Sequence, residues 1–237
     1  MMRVKMTLVC LTALGMLIST AGAAPYWIAW EGNDFPENEG WTREYGDENG
    51  HGQGGAVRSI EDGSLLLDGR RHPAIYDSYT MSRAVDPGSG EMFIMRWRLR
   101  VDEVSVHEDP IAGVFSDESW AVAFQFSETS AISTFETNNG VDFEPGVFHR
   151  FELRSWDMRS YELRINDSVA LTGDFVHVFT ASEVAWGDGA VGSASLSVWD
   201  YVEFGVVPEP GGAISLGLAG AIVLTKGRRN TYDNGKG

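Results

Sequence analysis

Between residues 24 and 205 the chain alternates apolar and polar positions in short runs. The clearest is Met92 to Val101, "MFIMRWRLRV". Phe93, Met95, Trp97, Leu99 and Val101 fall on one side, with Arg96, Arg98 and Arg100 on the other. Period two predicts a half-buried strand. The run "FELRSWDMRSYELRIND", Phe151 to Asp167, predicts a hairpin. In it Phe151 and Leu153 answer Tyr161, Leu163 and Ile165, while Glu152 and Arg154 answer Glu162 and Arg164. Facing Glu and Arg side chains help fix the register, at about a few tenths of a kcal/mol each. Asn166-Asp167 then turns the chain into "SVALTG".

Further strands are expected at Ala56–Ile60, Ser64–Asp68, Ala74–Met81, Ile111–Phe115, Ser119–Ser127, Ala131–Glu136 and Leu196–Phe204. "SWAVAFQFS" (Ser119–Ser127) is apolar on both faces and should be central. Gly, Asp, Asn and Pro separate these runs, and no segment from Ala24 to Gly205 shows a 3.6-residue period. The expected fold is one all-β domain, an antiparallel sandwich or barrel. Glu31 to Gly55 has no periodicity and reads as a long loop or a disordered lead-in, with Phe35 and Trp41 packing part of it.

The two ends differ from the middle. Arg3 and Lys5 precede a nearly unbroken apolar run, Met6 to Ile18, and Ala21-Gly22-Ala23 offers the small residues of a signal-peptidase site. Residues 1–23 therefore read as a secretory signal with its own short helix. The only cysteine, Cys10, lies inside it, so the exported chain has no disulfide and is held by its core or by bound ions. At the other end Gly211 to Thr225 is apolar over 15 residues and is followed by Lys226, Arg228 and Arg229. As a helix it spans about 22 Å, short against a bilayer core of about 30 Å. The basic cluster would stay cytoplasmic, leaving the folded domain outside.

Between Ala24 and Pro208 there are 32 acids and 12 bases, a net charge of −20, and all twelve bases are arginine. So negative a surface argues against nucleic acid or anionic lipid as partner and permits divalent cations.

Pro208-Glu209-Pro210, a short apolar helix and the Arg228/Arg229 cluster, in that order, resemble the PEP-CTERM sorting signal of Gram-negative bacteria. The one departure is the extra tail "NTYDNGKG", and the alternative is an ordinary tail anchor. The resemblance implies that residues 206–237 are a transient inner-membrane address read by an exosortase. It implies a protein of the outer surface or exopolysaccharide matrix. Residues 24–205 are similar in strand pattern to the concanavalin-like and laminin-G-like jelly rolls, through "GVFHRFELRS", "YELRINDSVALTG" and "SLSVWDYVEFG". Phe148-His149 stands where those families have Trp-His, and the turn at Asn166-Asp167 lacks their glycine. That resemblance implies a fold that binds glycans or proteins, often with calcium, and that sometimes hydrolyses polysaccharides.

No catalytic constellation emerges. The E-x-D-x-x-E strand of jelly-roll polysaccharidases is missing, and "VDEVSVHEDP" carries Asp102, Glu103, His107, Glu108 and Asp109 at the wrong spacing. The five histidines lack paired zinc spacing. Asp47 in "GDENG", Asp109 in "HEDP" and Asp188 in "WGDG" are oxygen ligands on offer to calcium, although none belongs to a D-x-D-x-D-G loop. For stacking on sugar rings the candidates are Trp156, Trp186, Trp199 and Tyr201. The reading is an exported sandwich that binds glycan or another matrix component without chemistry. Its rivals are a purely structural matrix protein and a polysaccharide hydrolase with an unfamiliar site.

Overall fold

The computed structural model describes residues 25–46, 55–70, 76–104, 110–116, 120–136, 139–178, 182–188 and 195–209. The expected signal helix and C-terminal apolar helix lie outside these, as do Ala21, Ala23, Asp47, Asp109, Pro210, Arg228 and Arg229. No described helix is long and apolar enough to cross a membrane.

The strands are β1 (Tyr26–Trp30), β2 (Thr42–Gly46), β3 (Val57–Glu61), β4 (Ser64–Asp68), β5 (Tyr76–Ser82), β6 (Glu91–Val104), β7 (Ile111–Phe115) and β8 (Trp120–Phe126). They continue with β9 (Ser130–Ser133), β10 (Gly140–Asp142), β11 (His149–Ser155), β12 (Ser160–Ile165), β13 (Ser168–Asp174), β14 (Val176–His177), β15 (Glu183–Asp188) and β16 (Ser195–Pro208). The first sheet runs β13-β12-β11-β6-β16-β4-β3, with β1 beside the second half of β16. The second runs β10-β9-β8-β7-β15-β5-β2, with β14 beside β8. Neighbours are antiparallel throughout, and the two sheets form a sandwich consistent with a jelly roll.

The Met92–Val101 alternation is observed, with Phe93, Met95, Trp97, Leu99 and Val101 buried. The hairpin has the expected register, Phe151 opposite Ile165, Glu152 opposite Arg164 and Leu153 opposite Leu163. Asn166 and Asp167 both take positive φ, 48° and 70°, as a tight hairpin turn requires. His149 is a strand residue held at both ring nitrogens, by the Glu144 carbonyl and by Asn166.

Three elements depart from expectation. The lead-in Glu31–Gly55 contributes a 3₁₀ turn, Pro36–Glu39, and the edge strand β2, with Trp41 buried in the core. "EVAWGD", not among the expected strands, forms β15, between β7 and β5 in the middle of its sheet. Gly187 adopts φ +124°, which only glycine tolerates without strain, and that lets a Gly-Asp pair continue a strand. Finally, β16 runs three residues past Gly205. Pro208 pairs with Glu91 and the Glu209 N–H donates to the Gly90 carbonyl, so the Pro-Glu of the motif is part of the folded edge.

The core is aromatic. Trp186 packs against Trp30 (4.9 Å between ring centroids), Tyr79 (4.7 Å), Trp199 (5.0 Å) and Trp41 (5.7 Å). At the other end Trp97 stacks on Phe151 at 5.4 Å. The exposed edge of β13 is partly blocked: the Glu136 carboxylate accepts from the Asp174 N–H and from the Tyr161 hydroxyl. This protects part of an edge that would otherwise pair with another chain.

Candidate functional site

The sandwich presents two outward faces of opposite chemistry. On the first sheet, strands β6, β11, β12 and β16 turn arginines and acids outward in register. Glu152 accepts from Arg96 and Arg154, Asp200 from Arg98 (2.6 Å), Asp102 from Arg100 (2.7 Å) and Glu162 from Arg164 (2.8 Å). Arg96 also bonds Glu203 (3.3 Å) and lies over the ring of Trp27, while Arg98 and Arg100 both lie over Phe148. The charges answer one another.

A bulge in β16 decides the orientation of two expected site residues. Trp199 pairs with Leu99 and Tyr201 with Arg98, leaving Asp200 as the extra residue. Strict alternation would put Trp199 and Tyr201 on one side. The inserted residue turns Trp199 into the core and leaves Asp200 and Tyr201 outward. Asp200 borders two shallow cavities of about 310 and 330 Å³, one reaching Arg98 and Phe148, the other Tyr201 and Glu203.

The outward face of the second sheet is built differently. Registers place Ser78 and Thr80 (β5), Ala185 and Gly187 (β15), Gly113 (β7) and Ala123 (β8) side by side on it. These residues point away from the other sheet, yet Ser78, Thr80, Ala123 and Ala185 are only 8, 7, 4 and 8% exposed. Short side chains with low exposure on an outer face fit a recess. Strand spacing agrees: a Cβ on Gly113 would lie 2.6 Å from that of its partner Ala123, where facing Cβ atoms are ordinarily about 4.5–5.5 Å apart. The outward side of this sheet is therefore compressed, as in a concave surface.

Larger side chains stand around that floor. Phe115, Ile111, Gln125 and Ile132 border it from β7, β8 and β9. Glu44 on β2 accepts from the Thr80 hydroxyl at 3.2 Å. Glu183 on β15 lies diagonally from Thr80, two residues from its cross-strand partner Ala185. Burial, and then the charge of Glu44, raise the Glu183 carboxyl above its ordinary value. An aromatic edge, floor hydroxyls and two carboxylates can stack on a pyranose ring and hydrogen-bond its hydroxyls.

The four aromatic candidates do not converge. Trp186 and Trp199 are fully buried and cannot meet a ligand, a correction that follows from β15 being a central strand and from the β16 bulge. Trp156 is 42% exposed beside the β11–β12 turn, and Tyr201 is half-buried on the arginine-bearing face. Asp188, a proposed calcium ligand, is fully buried at the end of β15 against Gly69. No group of three or more His, Cys, Asp or Glu among the described residues is arranged to hold a metal ion. Glu44, Ser78, Thr80, Phe115 and Glu183 were not anticipated. The available signal was the small residues at one parity of "YDSYTMS", "IAGVF" and "EVAWGD".

No protein-family model matches the chain, and no curated protein sequence matches it. Solved structures do. A carbohydrate esterase of the Shiga toxin-encoding bacteriophage phi24B superposes with a TM-score of 0.56 at 10% identity, covering 78% of this chain and 100% of that one. The cellulose-induced protein Cip1 gives 0.50 at 11% identity over 76% and 96%. A protein of unknown function from Shewanella oneidensis MR-1 gives 0.50 at 9% over 78% and 87%. At these identities the likeness establishes the fold.

Proposed function

We propose that the chain is an exported surface or matrix protein whose β-sandwich binds a glycan, without chemistry, in the recess of the second sheet. The observation that carries this is the floor of small, nearly buried residues on an outer face, flanked by Phe115 and by hydroxyl and carboxylate groups. The superposed proteins named for carbohydrate or cellulose fit that reading. Export rests on the N-terminal signal, and retention on the PEP-CTERM-like tail, with signal peptidase and an exosortase as processing partners. Hydrolysis is the second reading, because Glu44 and Glu183 bring two carboxylates to one recess.

Filling the recess tests the proposal. Ala185→Phe adds a ring to the floor on the outer face and leaves the Trp186 core alone. Titrated against bacterial and algal polysaccharides, with calcium and with EDTA, the wild type is expected to bind. The variant is expected to lose at least about tenfold in affinity with an unchanged circular dichroism spectrum. Equal binding by both proteins would remove the recess as the site. Release of reducing sugar by the wild type, lost in Glu183→Gln, would move the assignment to hydrolysis.

A further inference from the structure

The recess has a charge problem that its surroundings leave unsolved. On the first sheet the carboxylates meet guanidinium groups; in the recess the two carboxylates meet none among the described residues. Glu44 bonds a neutral hydroxyl, Thr80, and Arg43 on the same strand points the other way, to the buried Asp77 at 2.8 Å. The described groups around Glu183 on the outer face are Ser82, Thr80 and Phe115, all uncharged, so Glu44 is its one titratable neighbour among the described residues. Ser78, a residue only 8% exposed, turns its hydroxyl toward the same recess. Two like charges, Glu44 exposed and Glu183 partly buried, stand beside hydroxyls and together offer acceptors to a cationic donor.

A metal ion is a poor match, since no group of three ligating side chains forms among the described residues. An alkylammonium suits the recess better. It carries three N–H donors and one positive charge, and Glu44, Glu183 and the Thr80 oxygen supply acceptors on one side of it. Building on the glycan reading, we propose that the recess selects an amino-sugar polymer with free amines, its ammonium held between Glu44 and Glu183 while the sugar ring lies against Phe115. The acetylated form of the same sugar has lost the charge. It would leave the two carboxylates facing each other across a neutral amide.

The test compares two probes of equal length, a β-1,4-linked glucosamine hexamer and its fully N-acetylated counterpart, titrated calorimetrically into the full-length protein at pH 6. The expected result is at least about tenfold preference for the amine form, the scale of one well-placed charge pair. Glu44→Gln and Glu183→Gln should each erode that preference, and the double variant should abolish it, the amine probe losing more affinity than the N-acetylated one. Lowering the pH should weaken the amine probe as Glu183 takes up its proton, because the amine is already charged there. Equal affinity for both hexamers, or a preference that survives the double variant, overturns the amine selectivity and leaves the glycan reading standing. No binding of either hexamer or of any polysaccharide, with Ala185→Phe changing nothing, overturns both.

Discussion

The outer faces of the two sheets solve the same problem in opposite ways. Both are exposed sides of antiparallel sheets in a strongly acidic chain. The first is covered by long side chains in cross-strand ion pairs, with Glu152 shared between Arg96 and Arg154 and Asp200 held by Arg98 and the Ser64 hydroxyl. The second has short side chains, a compressed surface and two carboxylates without a cation among the described residues. A face whose groups satisfy one another offers little to a ligand, because each new hydrogen bond must replace an existing one. A face with an empty floor and unmet acceptors has more to gain. The difference is the ground for placing the proposed recognition on the second sheet, the arginines of the first being engaged with its own carboxylates.

The largest effect that would break this comparison lies one residue from the recess. Trp186 and Ala185 are adjacent on β15, but Trp186 lies in the core against Trp30, Tyr79 and Trp199 whereas Ala185 faces out. Trp186→Ala should cost about 3–5 kcal/mol through lost burial and a cavity, a large fraction of a typical domain's stability. Ala185→Phe, whose ring enters the recess and not the core, should cost less, at most about 1–3 kcal/mol. Urea melts of both variants check this. A Trp186→Ala protein as stable as wild type would mean that the two sides of β15 are wrongly assigned, and the recess with them.

How much of this was legible follows from where the information sits. The Met92–Val101 strand and the Phe151–Asp167 hairpin were readable because alternation and cross-strand pairs are local. β15 was not, since Gly187-Asp188 looks like a turn and only the φ of Gly187 keeps the strand going. The β16 bulge was equally hidden. One inserted residue changes the parity of Tyr201 relative to Trp199, and nothing in "VWDYV" announces the insertion. The recess gathers Glu44, Thr80, Gly113, Ala123 and Glu183 from strands far apart in the chain, so no local pattern contains it.

An intermediate effect is expected on the arginine face. Glu152, 14% exposed, is the carboxylate against which Arg96 and Arg154 converge, with Arg164 at 3.9 Å. Glu152→Gln leaves neighbouring guanidinium groups without their shared counter-charge. The expected loss is about 1–2 kcal/mol, between the values for exposed and buried pairs. Glycan affinity measured below the melting transition should not change. A parallel loss of affinity would show that the faces do not act independently.

The smallest effect is the most discriminating, because its sign runs against intuition. Glu183 has its folded-state pKa raised above the ordinary value, by burial and then by Glu44. Its protonated form is therefore the one the fold prefers. Whatever stability it contributes is present at low pH and is lost as pH rises from the ordinary value through the raised one. At neutral pH the charged group is a small liability, and Glu183→Gln should stabilise the protein by about 0.5 kcal/mol or less, the group being partly solvated. Denaturation midpoints of the two proteins should converge below the ordinary carboxylate range and separate above it, with the variant the more stable. Glu136 should behave the other way. Burial raises it, but its bonds from Tyr161, Asn139 and the Asp174 N–H outweigh that and lower it, so Glu136→Gln should cost stability at neutral pH. If Glu183→Gln also destabilised the protein at neutral pH, Glu183 would have to own a cationic partner in the folded state, and the contrast between a satisfied and an unsatisfied face would collapse.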